Sequence, residues 1–382
     1  MIDDIPNIRH LAAFAATVRL GTVTAAADEI ALTQPALTQA IARLELALDC
    51  RLFDREPGGM RPTEPALLLA PRAEVALALI GSPRVTSTQV RAFLALARKA
   101  SYTEAASQLE VAPASLHRAV ADLSVALGER LVERRGRHLA LTRKGEARAR
   151  SFGLAMAELR SGLAEVSEWL GKAGGRIVIG AMPLSRARWL PQAIIAFRQR
   201  RPDTQLAVIE GSHTELTGPL RNGEIDFLLG ALRDDSEFDD LVQSKAFVDS
   251  PQIAMRQGHP LASMSVLSAD ELRRYPWVLP GVETPLRGYW STMMDASGEL
   301  PEVPIECGSV LTIRELLLET DMLTLLSRDQ LRVEIEAGLH LNLPPPLPIE
   351  RTIGITTRRD WRPTAPQRDM ITILHGAAQE LS

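Results

Sequence analysis

A chain of 382 residues with 46% hydrophobic and 24% charged side chains is ordinary globular material for two or three domains, with no shortage of apolar residues for a core. Its acidic start, Met1-Ile2-Asp3-Asp4, has no signal-peptide core, and its most apolar stretch, Leu67 to Ile80, is broken by Arg72 and Glu74, so a cytoplasmic protein without a membrane span is expected. The two cysteines, Cys50 and Cys307, have no metal-ligand spacing, and the net charge of −4 averages over unlike segments, since residues 87 to 150 carry about +6 while the rest is acidic.

The first third repeats itself. Residues 8 to 66 lie over 87 to 145 without a gap: Phe14 falls on Phe93, Ala26-Ala27 on Ala105-Ala106, Leu37 on Leu116, Leu44 on Leu123, Arg55 on Arg134 and Thr63 on Thr142. A gapless match of this length implies one compact unit used twice. Within each copy the apolar residues have helical spacing, as in Leu37, Ile41, Leu44, Leu48 and in Leu116, Val120, Leu123, Leu127. Thr24 and Thr103 stand where an N-cap is wanted, and the paired alanines after them let two helices approach closely. A short turn around Leu32 to Gln34 leads into the next helix, whose first turn tolerates Pro35. The charged tracts Asp54 to Arg61 and Glu133 to His138, with Gly58-Gly59 or Gly136 at the tip, read as β-hairpin wings.

These residues carry a family resemblance. Gly21-Thr22-Val23-Thr24-Ala25-Ala26-Ala27, Leu32-Thr33-Gln34-Pro35-Ala36-Leu37-Thr38-Gln39-Ala40-Ile41 and Leu52-Phe53-Asp54-Arg55 resemble the winged helix-turn-helix of LysR-type transcriptional regulators. The second copy is similar through Ser101 to Ala106, Leu116-His117-Arg118 and Leu141 to Gly145, but has Ala112-Pro113 where the family has a polar cap pair and Asp122 where the first copy has Arg43. A helix of this kind fits the major groove, its first exposed side chains meeting base edges while wing cations hold phosphates. The resemblance therefore implies double-stranded promoter DNA as a partner. The contacts would come from Thr33, Gln34, Pro35, Ala36, Thr38, Gln39, Arg43 and Arg55 in the first copy, and from Ser115, His117, Arg118, Arg134, Arg135 and Arg137 in the second. The first copy reads bases and the second anchors the backbone, unless one of them has become a packing or protein-binding module.

Residues 146 to 174 follow as one amphipathic helix without proline, closing on Gly171 and Gly174-Gly175. In the resembled family such a linker pairs two subunits antiparallel, which implies a homodimer, and a tetramer as the next assembly, with RNA polymerase as a further partner. The alternative is a helix packed on its own C-terminal domain. From residue 175 short apolar runs, Ile177-Val178-Ile179, Leu206 to Ile209 and Phe227-Leu228-Leu229, alternate with helical stretches, which means a parallel sheet with crossover helices. Leu190-Pro191, Arg201-Pro202-Asp203 and Gly223 to Phe227 resemble the effector domain of the same regulators, an α/β two-lobed fold similar to type 2 periplasmic binding proteins. Within the family the chain is most similar to the subgroup typified by galactose-binding-protein regulators.

The expected fold is thus multi-domain: tandem winged helix-turn-helix domains, mainly α, over 1–84 and 85–145, a linker helix over 146–174, and an effector-binding domain over 175–382. Lobe I takes about 175–248 and 347–382 and lobe II about 249–346, with Pro344-Pro345-Pro346 on the return crossing. A small effector between the lobes would meet the loops after the strands, where unpaired N–H groups gather: Leu184, Ser185, Arg186, Arg188, Gly211, Ser212, Thr284, Pro285, Arg287, Leu311 and Ser327. Arg186, Arg188 and Arg287 suit an anionic group, or are surface salt-bridge partners. A Ser or Thr after a strand serves as often as a helix cap. Trp189, Trp277 and Trp290 are core candidates.

No phosphate-binding loop, nucleophile elbow, dinucleotide fingerprint or metal-spaced His/Cys set is present in the sequence, so neither catalysis, nor a cofactor, nor a metal is expected. Two other readings stand beside the main one. The first is a solute-binding module without DNA function, which the tandem helix-turn-helix pattern opposes, and the second is a regulator that acts through protein contacts with no small effector.

Overall fold

The computed structural model describes residues 6–57, 59–136, 138–172, 175–233, 239–295 and 299–381. The first unit runs α1 (Ile8–Leu20), α2 (Val23–Glu29), α3 (Gln34–Leu48), β1 (Phe53–Glu56), β2 (Gly59–Pro62) and α4 (Glu64–Ile80). Its second copy runs α5 (Ser87–Lys99), α6 (Tyr102–Gln108), α7 (Pro113–Leu127), β3 (Val132–Arg135), β4 (His138–Leu141) and α8 (Arg143–Trp169). Asn7 caps α1 and Gly21, at φ 71°, ends it. The caps of α2 and α6 are Thr22 and Ser101, whose hydroxyls accept from Ala25 N and Glu104 N; Thr24 and Thr103, expected as caps, lie in the first turn instead. Each cap stands two residues earlier because the preceding helix ends at Gly21 or Ala100 in the left-handed region, leaving one extended residue before the next turn. The wing hairpins form as antiparallel pairs. The first is tied down where Met60 N donates to Gly21 O at 2.8 Å, and a Cβ at Gly59 would meet that oxygen at 2.4 Å.

The repetition extends beyond the stretch that sequence similarity marks. α4 and α8 begin at equivalent positions, and they pack on each other antiparallel. Asp49, at the N-terminal end of this seam on the first unit, pairs with Lys172 at 3.0 Å, Arg72 pairs with Glu158 and Glu165 at 3.0 and 2.7 Å, and Gly81, just beyond α4, lies against the Arg148 guanidinium. The helix expected to pair with a second subunit thus lies on α4 of its own chain. The reason is steric and electrostatic: Gly162 leaves room for the Arg72 stem, and the buried guanidinium finds two carboxylates. Between residues 151 and 168 only Arg160 of α8 is exposed. Both units and this seam share one continuous core, from Ile8 to Val166.

The C-terminal part holds β5 (Arg176–Ala181), α9 (Trp189–Arg200), β6 (Gln205–Glu210), α10 (His213–Arg221), β7 (Phe227–Ala231) and β8 (Leu241–Asp249). It continues through β9 (Gln252–Arg256), α11 (Ala269–Leu272), β10 (Val278–Leu279), α12 (Pro285–Asp295), β11 (Ile305–Glu306), α13 (Val310–Glu319) and β12 (Thr324–Leu326). It ends with α14 (Arg332–Glu336), β13 (His340–Leu343), β14 (Arg351–Arg358) and α15 (Ala365–Gln379). One sheet has the order β6-β5-β7-β14-β8, with β5 parallel to β6 and β7 and β14 antiparallel to β7 and β8. A second, β12-β9-β13, is antiparallel, with the short parallel pair β10-β11 beside it. The chain passes from the first sheet to the second after β8 and returns between β13 and β14, the segment that carries Pro344-Pro345-Pro346. Separate cores stand behind the two sheets, one around Trp189 and Phe197 and one around Trp277 and Trp290; all three tryptophans are fully buried. Cys50 and Cys307 are free and half-buried. No helix among the described residues is long and apolar enough to cross a membrane.

Candidate functional site

α3 starts where it does because the Thr33 hydroxyl accepts from Ala36 N at 3.4 Å and Pro35 occupies the first turn, where no donor is needed. Burial of Leu37, Ala40, Ile41 and Leu44 turns the opposite face outward: Thr33, Gln34, Pro35, Gln39 and Arg43 are exposed, and Ala36 and Thr38 are half-buried. Gln34 Nε2 donates to Thr24 Oγ1 at 3.2 Å, so the amide is held at the head of the helix. In α7 the buried set is Leu116, Val120 and Leu123, and Ser115, His117 and Arg118 are exposed. Ala112 supplies no side-chain cap, Pro113 has no N–H, and Ser115 N donates to Ala112 O at 2.9 Å. The His117 ring lies 5.0 Å from that of Tyr102, centroid to centroid. Arg55 on β1 and Arg134 and Arg135 on β3 are exposed wing cations, Arg135 within 2.8 Å of Glu133; Arg137 lies outside the described residues. Each unit therefore brings a helix N-terminus and a charged wing to its surface.

The C-terminal candidates divide differently. Arg188, between β5 and α9, stands 3.6 Å from Asp329 in the turn after β12, an ion pair that spans the two sheets; Ser327, which is buried, begins that turn. Leu184 is half-buried in the 3-10 turn Pro183–Arg186. Ser185, expected to face an effector, is fully buried and donates to Met182 O at 2.8 Å, because the 3-10 turn points its hydroxyl back at the backbone it came from. Arg186 is ion-paired with Glu210. Gly211 precedes Ser212, whose hydroxyl and amide form a capping box with Glu215 at the start of α10. Thr284 donates to Gly281 O and accepts from Arg287 N and so caps α12, whose first residue is Pro285. The Arg287 guanidinium donates to Pro280 O, lies 3.8 Å from Glu306 and sits 5.1 Å over the Trp290 ring. Leu311 is exposed on α13. Of the expected set, the fold brings Arg188 and the Ser327 turn together between the lobes; Ser185, Ser212, Thr284 and Arg287 are engaged in local structure. Asp329, the partner of Arg188, was not singled out in the sequence, and an opposite charge 141 positions away leaves no local signal of pairing.

Two half-buried titratable groups of the C-terminal part are shifted from their ordinary values. Burial, with Arg233 and Arg221 nearby, lowers His213 to about 4, so the imidazole at the head of α10 is neutral near pH 7. Burial raises the Asp226 carboxyl, against the opposing pull of the Val178 amide, Arg358 and Arg160. Among the described residues no group of three or more His, Cys, Asp or Glu is placed to hold a metal ion.

Residues 171–379 match the LysR substrate binding domain, and residues 8–67 and 87–146 each match the bacterial regulatory helix-turn-helix of the lysR family. The HTH-type transcriptional regulator GalR of Pseudomonas putida is 31% identical over 94% of both chains. The HTH-type transcriptional regulator PcaQ of Agrobacterium fabrum is 26% identical over 78% of this chain and 96% of its own. Among solved structures, a full-length OxyR variant from Pseudomonas aeruginosa superposes with a TM-score of 0.55 at 21% identity, covering 76% of this chain and 94% of that one, a likeness of fold.

Proposed function

Because the chain belongs to the LysR family of bacterial transcriptional regulators, and so is a DNA-binding regulator with a domain of the effector-binding type, we propose a division of labour among its parts. α3 reads bases through Gln34, Gln39 and Arg43, while α7 and the second wing, through Ser115, His117, Arg118, Arg134 and Arg135, hold the backbone. The observation that carries this reading is that both helices present an exposed N-terminal face, while α3 carries three side chains suited to paired contacts with adenine or guanine edges, Gln34, Gln39 and Arg43, and α7 carries one, Arg118, with Asp122 in place of Arg43. The protein acts in the cytoplasm as a homo-oligomer without catalysis of its own. Since α4 covers α8, its subunits meet through surfaces outside that seam.

In the same proposal a small anionic effector enters between the lobes and competes with Asp329 for Arg188, shifting the lobes only as far as it binds one arrangement better than the other. The local engagement of Ser185, Ser212 and Arg287 favours a second reading, in which the chain responds to a protein contact and takes no small molecule. Promoter footprinting at two salt concentrations tests the DNA reading, since phosphate contacts weaken steeply with salt; no specific protection would sink it. A thermal-shift screen of the full chain against carboxylate and phosphate metabolites separates the two effector readings. The first expects a stabiliser whose effect is lost in Arg188→Ala, and the second expects none.

A further inference from the structure

The two helix-turn-helix units stand in a relation that their order along the chain does not require. Every element of the second begins 79 residues after its counterpart, so equivalent positions can be compared directly. Copies related by a simple shift never place a position against its own equivalent. Copies related by a two-fold axis do so wherever the axis passes, and each contact then has a twin at the equivalent positions. The first signature is present, and the second is met to within two residues. Ile8 N donates to Ser87 Oγ at 3.2 Å across a separation of 79, and the same hydroxyl donates to Pro6 O at 3.1 Å; Ile8 and Ser87 are equivalent first residues of α1 and α5.

The second signature lies in the α4–α8 seam. A Cβ at Gly162 would sit 3.0 Å from Leu69, and the twin of that pair is Pro83 against Arg148. Gly81, two residues from Pro83, is what lies against Arg148. The antiparallel register of these contacts centres on Ala76 and Ala155, equivalent alanines that are both fully buried, as close helix crossing about an axis demands. An axis through Ile8/Ser87 and Ala76/Ala155 places α3 and α7 symmetrically about it and turns one end for end against the other.

We propose that a single chain is a complete two-headed reader, in which α4 and α8 form an intramolecular pseudo-dimer and α3 and α7 take the two halves of one inverted DNA site. This rests on the reading that both units bind DNA, and it adds stoichiometry and site symmetry. The halves are unequal, since Gln39 and Arg43 of α3 correspond to Arg118 and Asp122 of α7. The operator is therefore an imperfect inverted repeat whose second half tolerates more change.

Two measurements on the full chain decide this. With Cys50→Ser and Cys307→Ser in the background, Asp49→Cys and Lys172→Cys place thiols at the ends of a pair now 3.0 Å apart. A short bismaleimide should give a cross-linked product of one-chain mass on a denaturing gel; a covalent dimer would show that the seam joins two chains and would overturn the proposal. In the second, a duplex selected from a random library and trimmed to its protected segment is bound and weighed by native mass spectrometry. One chain per duplex is expected, whether the complex carries one duplex or two, and two chains on one duplex overturns the proposal. Reversing one half of that duplex to make a direct repeat should weaken binding by at least about tenfold, and unchanged affinity would overturn the inverted arrangement. Retention of no duplex would overturn the DNA reading and this proposal together, while the cross-link would still report whether the seam is intramolecular.

Discussion

At position 43 the first unit carries an exposed arginine, and at the equivalent position 122 the second carries an exposed aspartate. A cation on the outer face of a groove-sized helix can pair with guanine, whereas a carboxylate there repels phosphate. The two units therefore separate in a mutational experiment. Gln34→Ala or Arg43→Ala should relax preference among sequences at one position by about 1–3 kcal/mol, while Arg135→Ala should weaken binding to all sequences alike and reduce the salt slope by about one. Equal patterns from both classes in a salt-titrated binding assay would refute the division. His213 gives a second residue-level test. Its folded value is near 4 against an ordinary 6.5, so the unfolded chain takes up the proton first. The stability this contributes is complete above about pH 6.5 and is lost as pH falls toward 4. His213→Gln should lower the melting temperature less between pH 7 and pH 4.5 than the parent chain does; parallel falls would show that other groups govern the acid limb.

The α4–α8 pair shows what the sequence could and could not disclose at the level of elements. The helix-turn-helix units were legible because their cores are built from equivalent residues, such as Phe14 and Phe93 or Leu37 and Leu116, in the same roles. α4 escaped, although Leu67 to Ile80 was visible as an apolar run, because helices that pack on each other need complementary faces, not similar ones. α4 brings Arg72 and small alanines, and α8 brings Gly162, Glu158 and Glu165. The caps of α2 and α6 were misplaced by two residues for a related reason: polar residues on both sides of the boundary leave only backbone geometry to choose between them. The effector candidates were selected as polar residues after strands, and for Ser212 and Thr284 that position serves the following helix. Glu158 also pairs with Arg362 of the C-terminal part at 3.0 Å, so the Arg72 cluster joins three segments. Arg72→Met would take the cation from half-buried Glu165 and leave Glu158 with Arg362 alone, and should destabilise the N-terminal module by about 3 kcal/mol in urea unfolding. A change within experimental error would mean that water replaces the guanidinium freely.

At the scale of the whole molecule α8 carries the main polar contacts between the two halves, with Arg362 also reaching Pro71 O on α4 at 3.5 Å. Arg160 donates to Gly223 O at 3.0 Å, Arg150 and Arg221 both pair with Asp240, and Arg201 pairs with Glu168. At the centre of this contact Gly153 packs so closely that a Cβ would lie 2.3 Å from Asn222 O. Since protein interiors are packed too densely to absorb such an overlap, any side chain there must push α8 and the loop after α10 apart. Each half keeps its own core, around Phe93 and Phe152 on one side and Trp189 and Phe197 on the other, so separation at this seam need not unfold either. A signal from the lobes to α3 and α7 has to cross the same seam, because coupling requires an element whose arrangement both sites bias. Gly153→Val should therefore split a single calorimetric transition of the parent chain into two while leaving DNA affinity within about threefold, since no reader residue lies at the seam. A variant that still melts in one transition at the parent's temperature would show that the halves are joined elsewhere, and α8 would lose its standing as the route between them.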